Sequence, residues 1–153
     1  MEKIENLQRI YTGKIPEVSS LNYWERLQKL KIYSQERRME RYRAIYIWKI
    51  LEGISPNCGI QVINSDRRGR EIQIPQIKGN GKYQTLRAGS FQVHGAKIFN
   101  SLPKSIRNLT KISVEEFKLS LDKFLQTLPD EPKLPGYIPS GCNQVTASPS
   151  SKA

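Results

Sequence analysis

The feature that most constrains the fold is a capped, one-sided helical pattern near the carboxyl end of the chain. Ser113 and Glu116 have the spacing of a capping box, in which each side chain satisfies a backbone amide of the other residue. Large apolar residues then recur at helical intervals, and Pro129 ends the pattern. These residues are Val114, Phe117, Leu121, Phe124, Leu125 and Leu128. The pattern predicts an amphipathic helix of about 15 residues with one apolar face to bury.

Three further helices are predicted in the first third of the chain. The first covers residues 2–12, where apolar side chains stand at helical spacing. The second covers residues 21–32, with Ser20 as its cap. The third runs from Ser34 to about residue 52, where Gly53 provides the left-handed conformation that commonly ends a helix.

The third predicted helix has two different halves. Its first half carries Arg37, Arg38 and Arg41 within about 100° of one another around the axis. From Ala44 the sequence AIYIWKIL is apolar almost all round, which is typical of a helix buried on several sides. We therefore expect this end to form the centre of a small core with the apolar residues of the second helix. Those residues are Trp24, Leu27 and Leu30.

The middle of the chain has a different composition. Residues 55–70 are rich in Pro, Asn, Gly, Ser and Arg and predict a loop. Residues 71–77 and 83–87 favour strands, and the intervening Lys-Gly-Asn-Gly-Lys run suits a turn, which together predict a β-hairpin. Pro75 restricts the first strand to an edge position. Residues 95–101 predict a short helix. Phe91 and Val93, which precede this helix, favour an extension of the sheet.

Together these elements predict a mainly α fold of the α+β class. A helical amino-terminal unit covers residues 1–53, and a basic loop with a small β-hairpin covers 54–94. The carboxy-terminal helices cover 95–128 and end in the amphipathic helix. Residues 129–153 hold many prolines and few large apolar groups, so they predict a disordered tail.

The charge of the chain favours anionic partners. The net charge is +11, and residues 53–112 hold 10 basic but only 2 acidic side chains. Such an excess attracts nucleic acid first, then acidic membranes or proteins. No apolar stretch approaches the roughly 18 residues of a membrane span. We therefore expect no membrane contact and an intracellular protein, nuclear or cytoplasmic.

The residues that enzymes and metal sites need are scarce. The chain has three aspartates, and none stands near another in an apolar strand, so a two-metal polymerase centre is not expected. His94 is the only histidine and has no nucleophile motif beside it. Two cysteines, Cys58 and Cys142, are too few for a structural zinc site and read as ordinary thiols. We expect no catalysis by this chain and no cofactor.

The candidate functional residues are basic. Guanidinium groups match phosphate oxygens in a fork geometry, and a loop rich in arginine follows a phosphate backbone well. The candidate contacts are Arg37, Arg38, Arg41, Arg67, Arg68, Arg70, Lys78, Lys82 and Arg87. The alternative is a solvated basic surface without a partner. Three aromatic residues have the same two readings, base stacking or core packing: Tyr33, Tyr83 and Phe91.

An ordered set of sequence blocks resembles a known family. The strongest block is Tyr23-x-x-Arg26-Leu27-x-x-Leu30, followed by Ser34-x-x-Arg37-Arg38 and by Trp48-Lys49-Ile50-Leu51-x-Gly53. The second is Phe99-Asn100-x-Leu102-Pro103 with Phe117-Lys118 downstream. In this order they resemble the carboxy-terminal end of reverse transcriptases from non-LTR (LINE-type) retrotransposons. The resemblance covers about residues 1–130.

The resemblance implies a part of an RNA-directed DNA polymerase without its catalytic centre. In that family the fingers and palm, which hold the metal-binding aspartates, lie upstream of these blocks. The first helices then correspond to the thumb or the segment after it, which grips the template–primer duplex by its backbone. The resemblance thus implies a non-catalytic fragment that contacts RNA or DNA, and it places contacts at Arg37, Arg38, Arg41 and the Arg67–Arg70 loop.

Two other functions stay open at this point. The stripe formed by Phe117, Leu121, Phe124 and Leu125 is either an interaction surface for a polymerase core or internal packing against Trp24 and Trp48. The second alternative is that the chain is a decayed retroelement remnant with no activity. Since no residue is identifiable as a reader of base edges, the sequence does not distinguish RNA from DNA.

Overall fold

Helices dominate the fold, as the sequence predicts. A computed structural model describes residues 2–65, 69–77 and 81–132. Within these ranges the chain forms seven helices and one two-stranded antiparallel sheet. In chain order they are α1 (Glu2–Gly13), α2 (Tyr23–Leu30), α3 (Gln35–Leu51), β1 (Val62–Ser65), β2 (Gly69–Ile72), α4 (Lys82–Ala88), α5 (Phe91–Ser101), α6 (Lys104–Arg107) and α7 (Val114–Leu125). The mainly α fold with a small hairpin is confirmed.

Local capping signals place the helix starts. Ser113 and Glu116 form the predicted capping box at the start of α7. Ser34 caps α3, its hydroxyl accepting a bond from the Arg37 amide at 3.1 Å. At α2 the cap is Asn22, which forms a capping box with Glu25, rather than the predicted Ser20. An asparagine carbonyl serves this position as well as a serine hydroxyl, so the helix begins two residues later than the serine suggests.

The core lies between α3, α5 and α7. The Trp48 ring stacks on that of Phe117 with centroids 4.4 Å apart and planes 10° apart, and both side chains are fully buried. Leu121 and Leu125 complete the buried stripe of α7. This stripe therefore packs internally. Leu27 of α2 is buried as well but lies outside this core, so the predicted grouping of the α2 residues around the end of α3 is wrong.

α1 presents its apolar stripe to solvent and its polar side to the fold. Ile4, Leu7 and Tyr11 are all more than half exposed. The Glu5 carboxylate is buried instead and accepts bonds from the Tyr23 hydroxyl at 2.5 Å and from the Gln35 amide at 2.7 Å. Two hydrogen bonds to a buried carboxylate offset its desolvation, and they tie α1 to both following helices.

The hairpin is present but uses other residues than predicted. β1 pairs with β2, with Val62 opposite Ile72. The predicted second strand, residues 83–87, lies within α4. The reason is visible at Ile72, whose amide and carbonyl both bond to the side-chain amide of Asn100 in α5 at 2.8 Å. Because α5 occupies this edge of β2, no further strand can pair there. The centre of the predicted Gly-Asn-Gly turn lies outside the described residues.

Helical packing also overrides the strand propensity before α5. Phe91 and Val93 belong to α5, which starts four residues earlier than the predicted helix at 95–101. Val93, Ala96 and Phe99 are buried at a spacing of three residues, so the segment packs as one helical face. The end of α5 at Leu102-Pro103 is as predicted.

The packed part of the chain extends beyond α7, further than the sequence predicts. The Asp130 carboxylate accepts bonds from the Ser34 amide at 2.7 Å and from its hydroxyl at 2.6 Å. The Pro132 carbonyl accepts a bond from the Trp24 indole at 3.3 Å. Residues 129–132 thus belong to the fold, and the predicted tail boundary at 129 is wrong. The rest of the predicted disordered tail, 133–153, lies outside the described residues.

Candidate nucleic-acid interface

Six of the nine basic residues proposed from the sequence are described by the structure. Arg67, Arg68 and Lys78 lie outside the described ranges. The six others separate into two groups of three. Arg37, Arg41 and Arg70 are held inside the fold by acceptors of the protein itself. Three remain on the surface without an ion pair among the described residues: Arg38, Lys82 and Arg87.

Arg37 is a core residue. Its side chain is 1% exposed, and its Nη2 donates to the Pro129 carbonyl at 2.8 Å. Its Nε lies 3.7 Å from Oε2 of Glu40. A buried guanidinium fastened in this way cannot reach a phosphate backbone, so Arg37 is not part of an accessible interface.

Arg41 connects α3 to α7. Its Nε and Nη2 donate to the two carboxylate oxygens of Asp122 at 2.6 and 2.7 Å. These hydrogen bonds raise the pKa of Arg41 above its ordinary value, against the opposing effect of burial. Tyr33 donates to the same carboxylate at 3.2 Å. Burial and the Asp122 charge raise the pKa of Tyr33 to about 12. Arg41 therefore stabilises the fold.

Arg70 holds the hairpin against the end of α3. Its Nη1 lies 2.9 Å from Oε1 of Glu52 and 3.2 Å from the Leu109 carbonyl. Beside it, Arg107 donates to the Arg70 carbonyl at 3.1 Å and lies 3.5 Å from the Glu71 carboxylate. The two arginines form a largely buried charged cluster between β2, the end of α3 and α6. Arg70 is thus also structural, although the sequence predicts it as a contact.

Most carboxylates of the described residues bind groups of the protein itself, some inside the fold and others at exposed helix caps. Some pair with arginines, others cap helices, and two bind backbone amides at helix starts. The engaged carboxylates are Glu5, Glu25, Glu40, Glu52, Glu71, Glu116, Asp122 and Asp130. At Glu116 the bonds from Ser113 lower the pKa of the carboxyl. Glu25 and Glu116 are themselves exposed, so the cationic excess of the surface follows from the net charge of +11 and not from burial of the carboxylates.

A mixed aromatic and basic face of α3 is missing from the sequence prediction. Tyr42 and Tyr46 are 60% and 44% exposed, although the second lies in the segment predicted to be buried. Arg43 and Lys49 stand on the same side of the helix, since spacings of three and four residues share a face. The signal was present in the sequence as tyrosines four residues apart with cations between and after them. Their exposure depends on where α5 packs.

These side chains border a groove between α3 and α5. The groove has a volume of about 520 Å³. Phe91 of α5 closes one side, and its ring meets that of Tyr46 at 5.4 Å with an 80° angle between planes. The lining residues are Met39, Tyr42, Arg43, Ile45, Tyr46, Lys49 and Phe91. We call this the α3 groove.

Lys82 and Arg87 lie on α4, which packs beside α5. Every residue of α4 from Lys82 to Arg87 is exposed, including Tyr83 and Leu86. This helix therefore offers cations and an aromatic ring next to the element that closes the α3 groove.

The described residues form no metal site and no membrane-spanning helix. They contain no group of three His, Cys, Asp or Glu side chains that could hold a metal ion. Cys58 is an exposed free thiol. Across the same part of the chain, no helix combines the length and the apolar character needed to cross a membrane. Comparison with family models, with curated proteins and with solved structures finds no match for this chain.

Proposed function

We propose that this chain is a non-catalytic nucleic-acid-binding segment from the carboxy-terminal region of a non-LTR retrotransposon reverse transcriptase. It contacts the phosphate backbone of RNA or DNA through surface cations. The resemblance described above supplies the family. The surface cations that form no ion pair among the described residues supply the contacts to phosphate.

The observation that carries the proposal is that carboxylates within the fold bind internal partners, whereas three candidate cations form no ion pair among the described residues. Asp122 binds Arg41, and Asp130 binds Ser34. Neither is therefore available as one of a pair of metal ligands, which supports a role without catalysis. Arg38, Lys82 and Arg87 remain accessible, and a strand of phosphates releases counterions when it binds such residues.

The alternative of docking on a polymerase core through the last helix requires an exposed stripe on α7. Phe117 and Leu121 are fully buried, and Leu125 is 2% exposed. A partner would have to displace the Trp48 stacking contact to reach them. The proposal therefore leaves this surface out.

The test is binding of a labelled primer–template duplex to the full chain across a salt series. We expect affinity to fall about 10³-fold between roughly 50 and 200 mM salt if about six phosphates are contacted. Replacing Arg38, Lys82 and Arg87 by alanine lowers the slope of log affinity against log salt by about 2.7, or ~0.9 for each contact.

The matched control removes the same charge elsewhere. Lys3, Lys14 and Lys31 are exposed on and after α1 and α2, and their triple alanine variant should keep the wild-type slope. Equal slopes for the two triple variants would show that net charge alone attracts the duplex, and would overturn the assignment of Arg38, Lys82 and Arg87 as contacts. Absence of binding would overturn the function and leave the decayed-remnant reading.

A further inference from the structure

We propose that the α3 groove binds unpaired nucleotides, with bases stacking on Tyr42 and Tyr46 and phosphates contacting Arg43 and Lys49. This inference rests on the proposed function and adds a class of ligand to it: single-stranded nucleic acid. Neither Tyr42 nor Tyr46 is among the candidate contacts that the sequence predicts.

The two tyrosine rings are exposed but held in place. The guanidinium carbon of Arg41 lies over the Tyr42 ring, 5.9 Å from its centroid, and Asp122 fixes that guanidinium from behind. Tyr46 is fixed by its edge contact with Phe91. A ring that is already ordered loses little conformational entropy when a ligand stacks on it, which favours binding.

The cations of the groove are not engaged in ion pairs within the part of the chain that the structure describes. Arg43 and Lys49 form no ion pair among the described residues, whereas Arg41 of the same helix pairs with Asp122. Arg43 follows Tyr42 directly, and Lys49 lies one turn beyond Tyr46. Flat rings alternate with positive charges along the helix, which matches a ligand in which bases alternate with phosphates.

The geometry favours single strands over duplexes. Within a duplex each base face is covered by its neighbours, so a side chain cannot stack on it without unstacking the helix. An unpaired base presents a free face, and stacking on an aromatic residue contributes to binding whatever the base. The groove volume of about 520 Å³ falls in the range of small-molecule pockets, which suits one or two bases rather than a double helix.

The test compares single-stranded oligonucleotides, as DNA and as RNA, with the primer–template duplex. We expect Tyr42→Ala and Tyr46→Ala to weaken single-strand binding by about tenfold or more each, as for other stacked bases. Tyr42→Phe should retain binding, because the ring and not the hydroxyl carries the contact. Tyr11→Ala is the matched control, since Tyr11 is 66% exposed but lies on α1. Oligonucleotides with 5-iodouracil should cross-link to Tyr42 or Tyr46.

The outcomes separate this inference from the proposed function. Loss of single-strand binding in the alanine variants, with duplex binding unchanged and melting temperatures preserved, supports the groove. Unchanged single-strand binding in both alanine variants overturns the groove and leaves backbone binding intact. An equal loss in Tyr42→Ala and Tyr42→Phe also overturns it, since stacking does not need the hydroxyl. Absence of binding to either nucleic acid overturns both.

Discussion

Arg41 and Asp122 lie 81 residues apart in sequence and form a two-bond ion pair, with nitrogen–oxygen distances of 2.6 and 2.7 Å. The pair joins the middle of α3 to the last turn of α7. Its carboxylate comes from residues 113–153, which hold 4 basic and 5 acidic side chains, and its guanidinium from a residue that the sequence offers as a phosphate contact. The fold thus uses this cation to stabilise itself.

Arg41 and Arg38 should separate stability from binding. Arg41→Ala removes two charge-assisted hydrogen bonds and should lower the free energy of unfolding by about 1.5–3 kcal/mol, with little change in the salt dependence of duplex binding. Arg38→Ala should leave the free energy of unfolding nearly unchanged, because Arg38 forms no ion pair among the described residues. It should instead reduce the salt dependence of duplex binding. Urea unfolding and salt-dependent binding measure the two effects. A stability loss for Arg38→Ala equal to that for Arg41→Ala would contradict the assignment.

Alkaline pH should destabilise the fold through two tyrosines, Tyr23, which is fully buried, and Tyr33, which is partly buried. The pKa of Tyr33 is raised to about 12, mainly by burial and then by the Asp122 charge. Burial and the bond to Glu5 also raise the pKa of Tyr23. In the unfolded chain both titrate near pH ~10, so their contribution is complete below that value and is lost between about pH 10 and 12 for Tyr33.

The midpoint of urea unfolding should therefore fall as pH rises above about 10. Tyr33→Phe removes one of the titrating groups and should flatten this fall, at the cost of about 1 kcal/mol at neutral pH for the lost hydrogen bond. Tyr11→Phe is the control, because Tyr11 is mostly exposed and should leave the profile unchanged. A Tyr33→Phe profile that matches the wild type would show that Tyr33 does not couple folding to pH.

Asp130 should contribute to stability although it lies beyond the last helix. Its carboxylate accepts two bonds from Ser34, which is fully buried at the start of α3. Asp130→Ala should destabilise the protein by about 1–3 kcal/mol, because a buried amide and hydroxyl lose their acceptor. Thermal unfolding measures the loss, with exposed Glu17→Ala as the control. A melting temperature equal to that of the control would place residues 129–132 outside the folded unit.

Much of the secondary structure could be predicted because its signals are local. The Ser113 capping box and the Ser34 cap act on amides three residues away, so no distant residue has to be known. The apolar period of α7 likewise contains its own evidence of a buried face. The class of the fold follows from such elements.

The hairpin could not be placed in this way. Strand pairing depends on which backbone edge is free, and Asn100 occupies the edge of β2 from 28 residues away. The candidate site has the same difficulty: nothing near Arg37 or Arg41 in the sequence reveals that Pro129 and Asp122 accept their bonds. Tyr46 presents the opposite case, since its apolar neighbours suggest burial while packing leaves it exposed.

By itself the sequence determined where most of the helices run and the surplus of positive charge. Only the tertiary structure decided which charged side chains form ion pairs within the fold and which face of α3 is exposed to solvent. The physical reason is range. Caps and helical periods act over three or four residues, whereas ion pairs and buried faces depend on partners that folding brings from distant parts of the chain.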